Sequence, residues 1–166
     1  MRKQLMRKVV AIAAVPGLIA SIYIFIASFL GLSMDNLGGK AFLLHLGIFA
    51  LFIPLIFVDH WSNGVDPFRG KPRWVLRSMQ ILFLLFLVVF LTFLSLSHAA
   101  SPEIINGEHV LNNRGKIVTY ISERDYRFLK GWELRLFASG WLLGYYAVMM
   151  YWWFPRQDEW TVVMPD

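Results

Sequence analysis

The chain has 166 residues, of which 57% are hydrophobic and 16% are charged, with a net charge of +5. A soluble domain usually carries about 25% charged residues, so the composition argues against a soluble globular protein. The chain has no cysteine, which excludes disulfide staples, thiolate metal sites and cysteine nucleophiles.

The apolar residues are concentrated in four long blocks, at residues 9–32, 41–58, 74–97 and 132–154. A bilayer core about 30 Å thick requires about 20 apolar residues of helix, and backbone at that depth must satisfy its own hydrogen bonds. The sequence therefore predicts an all-α membrane protein, a single polytopic domain over 1–166 with four transmembrane helices.

The first block is longer than the apolar region of about 7–15 residues that is typical of a signal peptide. We therefore interpret it as a retained span. The Pro16-Gly17 pair within it predicts a kink or a close helix contact.

Basic residues near the ends of the blocks predict the orientation of the chain. Four precede the first block and three lie in the 59–73 connection, whereas the loop after the first block has only Lys40. The 98–131 segment carries five more basic residues, which reduces the difference in positive charge between the two sides of the membrane. We predict an integral protein of a bacterial inner (cytoplasmic) membrane, with the N-terminus, the 59–73 connection and the C-terminus in the cytoplasm.

Tryptophans at the block ends and the positive charge favour anchoring to membrane lipids. Trp61 and Trp74 flank the inner ends of the second and third blocks. Outside the blocks, no basic run with interleaved aromatic residues indicates a nucleic-acid surface. Membrane lipids are thus expected partners and nucleic acid is not.

Residues 98–131 form the longest polar segment of the chain. Glu108 to Leu111 and Lys116 to Ile121 have the pattern of two short strands. The intervening Asn112-Asn113-Arg114-Gly115 stretch tolerates the positive φ of a hairpin turn. The pattern predicts a small extracytoplasmic β-hairpin.

A capped helix is expected to follow this hairpin. Ser122 begins a Ser-Glu-Arg-Asp sequence, which is typical of a helix N-terminus. Apolar residues then recur at helical spacing. We predict a short interfacial helix that leads into the fourth span, with a bend at Gly131.

An isolated hairpin is marginally stable in water, and about 34 residues cannot bury a core alone. The predicted hairpin must therefore rest either on its own bundle or on a partner protein. In the second case the hairpin docks on other membrane subunits through Asn112, Asn113, Arg114 and Tyr120.

Small residues predict how the helices pack. Gly140 and Gly144 form a small-xxx-small motif in the fourth block, and Ala13, Gly17 and Ser21 are spaced four residues apart in the first. Such stripes let two backbones approach closely. They predict a contact between the first and fourth spans, or a contact with another subunit.

Candidate chemistry is sparse. Charges in mid-span usually mark ion pathways or proton relays, and the four blocks have none at their centres. His45 and His98 lie near the outer ends of their blocks, where facing imidazoles would suit a haem or a quinone site. An outer metal site at Glu108 and His109 and hydrogen-bonded structural histidines are the alternatives.

No catalytic triad, phosphate loop or metalloprotease motif is present in the sequence. Asp59-His60 is interpreted as part of a solvated loop, and no N-glycosylation sequon occurs. We therefore expect a non-catalytic accessory or interaction subunit of a larger membrane complex. The alternatives are a haem- or quinone-associated redox subunit that uses His45 and His98, and an oligomeric pore or channel.

Overall fold

The computed structural model describes the backbone of residues 2–58 and 71–154, and the side chains of residues 5–53 and 71–154. Asp59-His60, most of the 59–73 connection and the C-terminal tail lie outside the described residues. The chain is mostly helical with a small antiparallel sheet, which confirms the coarse prediction. In chain order the elements are α1 (Arg2–Ala27), a 3₁₀ turn (Ser28–Leu30), α2 (Met34–Leu37), α3 (Lys40–Val58), α4 (Arg73–Ser97), β1 (Ser101–Ile105), β2 (Glu108–Asn113), β3 (Lys116–Tyr120) and α5 (Glu123–Trp153).

Among the described residues, two helical segments are long and apolar enough to cross a membrane, Leu5–Leu30 and Arg73–Ser97. The apolar part of α3 is shorter, Lys40–Ile53. α5 is long, but its first turns are charged and its second half is rich in tryptophan and tyrosine. The composition of α5 therefore differs from that of a simple lipid-facing span.

α5 lies at the centre of the described bundle and packs against α1, α3 and α4. Its buried residues alternate at spacings of four and three residues: Leu134, Ala138, Trp141, Tyr145, Val148 and Trp152. α1 and the first residue of the 3₁₀ turn show the same alternation in a stripe that contains mostly smaller residues: Val10, Ala14, Gly17, Ser21, Ile24 and Ser28. This spacing is typical of helices that pack at a shallow angle with interdigitating side chains.

Tyr145 of α5 is enclosed by glycines from two other helices. A Cβ atom added at Gly17 of α1 would overlap the Tyr145 ring, and one added at Gly47 of α3 would overlap its hydroxyl. The hydroxyl donates a hydrogen bond of 2.8 Å to the carbonyl of Leu44. We call this arrangement of Gly17, Gly47 and the Leu44 carbonyl the Tyr145 socket, and it joins three helices at one point.

One end of the bundle carries Arg7, Lys71 and Arg73, and we call it the basic end. The starts of α1 and α4 meet the end of α5 there. The guanidinium of Arg7 lies 6.0 Å from the Trp152 ring centroid. The Lys71 ammonium donates hydrogen bonds of 3.0 and 2.6 Å to the carbonyls of Tyr151 and Phe154. These bonds satisfy carbonyls at the C-terminus of α5 that have no partner within the helix.

The opposite end carries the β-sheet, and we call it the sheet end. Arg135 of α5 donates a hydrogen bond of 3.0 Å to the carbonyl of Ser28 at the end of α1. The guanidinium of Arg135 lies 4.6 Å from the ring centroid of Phe29 and 4.7 Å from that of Trp132. A planar cation suits stacking between aromatic rings, so this contact fixes the end of α1 against the first half of α5.

The predicted hairpin is in fact part of a three-stranded antiparallel sheet, ordered β1-β2-β3. Both connections are two-residue turns with positive φ at each central residue, Asn106-Gly107 and Arg114-Gly115. Such turns match the twist of the flanking strands. The turn predicted over Asn112 to Gly115 is therefore shorter than expected, because Asn112 and Asn113 still belong to β2.

α5 differs from the predicted short helix followed by a span, because it runs continuously through Gly131. Ser122 caps the helix as expected, and its hydroxyl accepts a hydrogen bond of 3.1 Å from the Asp125 amide. A glycine in a helix interior costs only about 1 kcal/mol. The remaining residues therefore carry the helix from the sheet end to the basic end.

Candidate functional site

The sheet end contains a polar cleft with a volume of about 410 Å³. Three segments that are distant in sequence form it: the 31–36 segment before α3, the β1–β2 hairpin and the first turns of α5. Its lining residues are Gly31, Ser33, Asp35, Asn36, Ile104, His109, Glu123, Tyr126 and Arg127. We call it the outer cleft.

Tyr126 is the central residue of the outer cleft and is buried. Its hydroxyl donates a hydrogen bond of 3.0 Å to Oδ2 of Asp35. The His109 ring centroid lies 4.8 Å from that of Tyr126, and the Lys130 ammonium lies 5.8 Å from the same ring. The contact therefore joins α2, β2 and α5.

The surroundings of Tyr126 raise its pKa from 10.0 to about 12. Burial of the hydroxyl is the main cause, and the hydrogen bond to Asp35 and the negative charges of Asp35 and Glu133 add to it. The folded chain therefore binds the phenol proton more tightly than the unfolded chain does. The stabilisation is complete below about pH 10 and is lost as the pH rises through about 12.

Substitution of Asp35 by asparagine should lower the pKa of Tyr126, because it removes the nearest negative charge. We expect the tyrosinate absorbance of the detergent-solubilised chain to show a component near pH 12 that moves to lower pH in Asp35→Asn. Tyr126→Phe should remove this component, which would assign it to Tyr126. Superimposable titrations of the wild type and Asp35→Asn would show that Asp35 does not act on Tyr126.

The outer cleft supplies hydrogen-bonding groups that are largely engaged with one another. Arg127 pairs with Glu123, and the Tyr126 proton is held by Asp35. In the described residues, no group of three or more histidine and carboxylate side chains could hold a metal ion. The arrangement therefore fastens the 31–36 segment onto α5 and places the sheet relative to the bundle.

β3 forms an exposed edge of the sheet. All five of its residues are exposed, and the exposed fractions are 42% for Ile117, 54% for Val118 and 66% for Tyr120. The Ile121 amide donates a hydrogen bond of 2.9 Å to the His109 carbonyl of β2. Because successive backbone groups alternate in direction, the Tyr120 amide points away from β2, to the open edge.

The register between β2 and β3 shifts at Leu111/Asn112, and Val118 is the extra residue on β3. A bulge of this kind twists the strand and is common at sheet edges. The regular part of the open edge is therefore short and centred on Tyr120.

The four predicted docking residues have different surroundings. The Asn112 side chain donates a hydrogen bond of 2.7 Å to Glu103 of β1, so it is held within the sheet. Asn113 is exposed, and Arg114 occupies the turn with φ of 53°. Tyr120 is exposed on the edge strand. Only the last three of these residues thus present a side chain to the surroundings of the sheet.

The two predicted cofactor ligands also differ in their surroundings. His45 of α3 is partly buried, with its ring centroid 5.3 Å from Phe137 and 5.2 Å from Trp141, both edge to face. Its Nδ1 lies 3.3 Å from the Ala41 carbonyl. His98 is exposed and caps α4 in the left-handed conformation. His45 is thus packed against α5, whereas His98 is at the surface.

Glu108 and His109, the alternative metal ligands, are consecutive residues of β2, so their side chains point to opposite faces of the sheet. His109 faces Tyr126 in the outer cleft. The Glu108 side chain is exposed.

The predicted packing glycines contact different helices. A Cβ added at Gly140 would lie 3.5 Å from the Phe86 ring of α4, and one at Gly144 would lie 3.0 Å from Ile48 of α3. Gly17 faces Tyr145, Ser21 is buried and Ala13 is exposed. The contact between α1 and α5 therefore uses Ala14 rather than Ala13, and large α5 side chains rather than Gly140 and Gly144.

Sequence reasoning did not identify Asp35 and Tyr126 as partners, since 91 residues separate them. It also missed β1, although the Asn106-Gly107 dipeptide is a strong hairpin signal. The Tyr145 socket left only a weak signal, the isolated glycines at 17 and 47.

Comparisons with protein-family models, with curated proteins and with solved structures found no match to this chain.

Proposed function

We propose that this chain is a non-catalytic interaction subunit of a larger membrane complex. It crosses the membrane four times, through α1, α3, α4 and α5, with the basic end in the cytoplasm. The sheet end lies on the opposite side and binds the extracytoplasmic part of a partner subunit through β3.

The open edge of β3 is the observation that supports this proposal most strongly. Natural sheets usually protect their edges, and an exposed strand can accept a strand from another protein. Here the bulge at Val118 protects one part of the edge, whereas the Tyr120 amide and its large exposed ring remain available.

The distribution of charge supports the orientation. The basic end gathers basic residues from the first turns of α1 and from the start of α4, among them Arg7, Lys71 and Arg73. Basic residues near span ends favour the cytoplasmic side. The antiparallel contacts of α5 with α1 and α4 place the β-sheet at the other end.

Strand pairing can be tested by comparing two substitutions of Tyr120. Tyr120→Ala removes the ring but keeps the amide, whereas Tyr120→Pro also removes the outward-pointing amide without breaking a bond to β2. We expect recovery of partner subunits, after mild extraction from native membranes, to be about five- to tenfold lower for proline than for alanine. Equal recovery with the two variants would contradict strand pairing.

The topology can be tested with single cysteines, because the native chain has none. Cysteines introduced at Gln4, Gly39 and Asn113 are treated with a membrane-impermeant maleimide in intact cells. We expect labelling at positions 39 and 113 before permeabilisation and at position 4 only afterwards. Labelling of positions 4 and 113 from the same side would exclude the proposed topology.

A further inference from the structure

An apolar groove with a volume of about 570 Å³ runs along α5 between α3 and α4. It is lined by Phe52, Met79, Gln80, Phe83, Phe86, Gly140, Leu143, Gly144 and Ala147. We call it the α3–α4 groove. It exists because α3 and α4 both pack on α5 and leave the surface of α5 between them uncovered.

The shape of the groove favours a thin occupant over a helix. Gly140 and Gly144 would ordinarily let a second backbone approach. Phe86 and Ile48 already lie close to these two glycines. The space that remains is within the range of about 300–1,000 Å³ that is typical of small-ligand pockets.

The groove extends from the middle of the bundle towards the basic end. From Gly140 to Ala147 it extends about 10 Å along α5, towards the basic end. Ser78 and Tyr146 share a hydrogen bond and connect α4 to α5 near that end of the groove. Half of a bilayer core is about 15 Å. Residues 140–147 are centred on the middle of the proposed 132–154 span, whereas the α4 lining, residues 79–86, lies in the half of α4 nearer the basic end. In the proposed orientation the groove therefore runs from the middle of the bilayer into the cytoplasmic leaflet.

Two arginines follow the groove at the level of the lipid headgroups. Arg73 precedes Gln80 by two helical turns and lies on the same side of α4. Arg77 precedes Gln80 by one turn and is rotated about 60° from it, away from Met79 and Phe86. Both are exposed, and neither forms an ion pair with another described residue. They complement a phosphate group at the end of the apolar groove.

We propose that the α3–α4 groove binds an anionic phospholipid of the cytoplasmic leaflet. One acyl chain lies against Gly140, Gly144 and Ala147, and the phosphate binds Arg73 and Arg77. The assignment of the leaflet rests on the orientation proposed above. A lipid bound in this way explains why the groove is apolar along its length and has basic residues near one end.

Native mass spectrometry of the full chain in detergent tests this proposal. The chain is equilibrated with phosphatidylglycerol or with phosphatidylcholine of the same acyl chains. We expect one bound phosphatidylglycerol, retained roughly 30-fold more strongly than phosphatidylcholine because two arginines contribute. Arg73→Gln combined with Arg77→Gln should abolish this preference, and Arg124→Gln, at the sheet end, should not.

Ala147→Phe fills the groove and should remove the bound lipid, whereas Ala13→Phe, at an exposed alanine of α1, should retain it. Equal retention of the two lipids by the wild type would overturn the proposal. So would an unchanged bound lipid in Ala147→Phe, or a second copy of the chain bound in place of lipid.

Maleimide labelling of a cysteine at Arg73 separates failure of the lipid proposal from failure of the orientation. Labelling in intact cells would overturn the proposed orientation and the assignment of the leaflet. Labelling only after permeabilisation, without retained phosphatidylglycerol, would overturn the lipid site alone.

Discussion

Replacement of Gly17 by valine should lower the free energy of unfolding by about 2–4 kcal/mol. The new side chain would occupy the position of the Tyr145 ring, which is buried and cannot rotate away without losing its hydrogen bond to the Leu44 carbonyl. Overpacking a close helix contact typically costs about 1–3 kcal/mol, and a lost hydrogen bond adds about 1 kcal/mol. Equilibrium unfolding of the detergent-solubilised chain by denaturant measures the change.

Gly131→Ala is the matched control, because a Cβ atom there meets only an Arg135 nitrogen at 3.9 Å. It should leave the stability unchanged or raise it slightly, since alanine favours helix. Gly17→Val combined with Tyr145→Ala should be less destabilised than the sum of the single changes. Additive effects would show that Gly17 and Tyr145 do not contact each other.

Replacement of Lys71 by methionine should lower the free energy of unfolding by about 2–3 kcal/mol. The Lys71 side chain is buried, and its ammonium donates hydrogen bonds to two carbonyls at the end of α5. Hydrogen bonds to charged groups contribute about 1.5–3 kcal/mol. Methionine retains the apolar stem but leaves these carbonyls without this donor.

The region of the chain that is destabilised in Lys71→Met distinguishes a local role of Lys71 from a general loss of stability. Hydrogen exchange should accelerate first in the last turn of α5 and the first turn of α4. Lys71→Arg should be intermediate, because the charge remains but a planar guanidinium fits the two carbonyls less well than a compact ammonium. Uniform acceleration over the whole bundle would contradict a local role for Lys71.

The positions of the long helices could be predicted from the sequence, since long apolar blocks leave few alternatives. The helix partners could not be predicted in the same way. Gly140 and Gly144 have the spacing of a close-packing motif, yet the α5 residues that contact Gly17 and Arg7 of α1 are Tyr145 and Trp152. A stripe of small residues shows which side of a helix can pack closely. It does not identify the residues of the neighbouring helix that pack against it.

The sheet end also has features that could not be predicted from the sequence. The capping residue Ser122 and the β2–β3 hairpin have local signals, and both occur near their predicted positions. The outer cleft depends on contacts between the 31–36 segment, β2 and α5, and no local pattern identifies such pairs. The open edge of β3 likewise has no local signal, because it depends on β1 occupying the other side of β2.

Hydrogen exchange of the backbone over Lys116–Ile121 tests the central claim, that the edge of β3 is covered by a partner. The same peptide is measured in native membranes and in the purified protomer. We expect slow exchange at Tyr120 in the membranes and fast exchange after purification. Equally slow exchange in the lone protomer would show that the chain covers this edge itself, and equally fast exchange in both would show that nothing does.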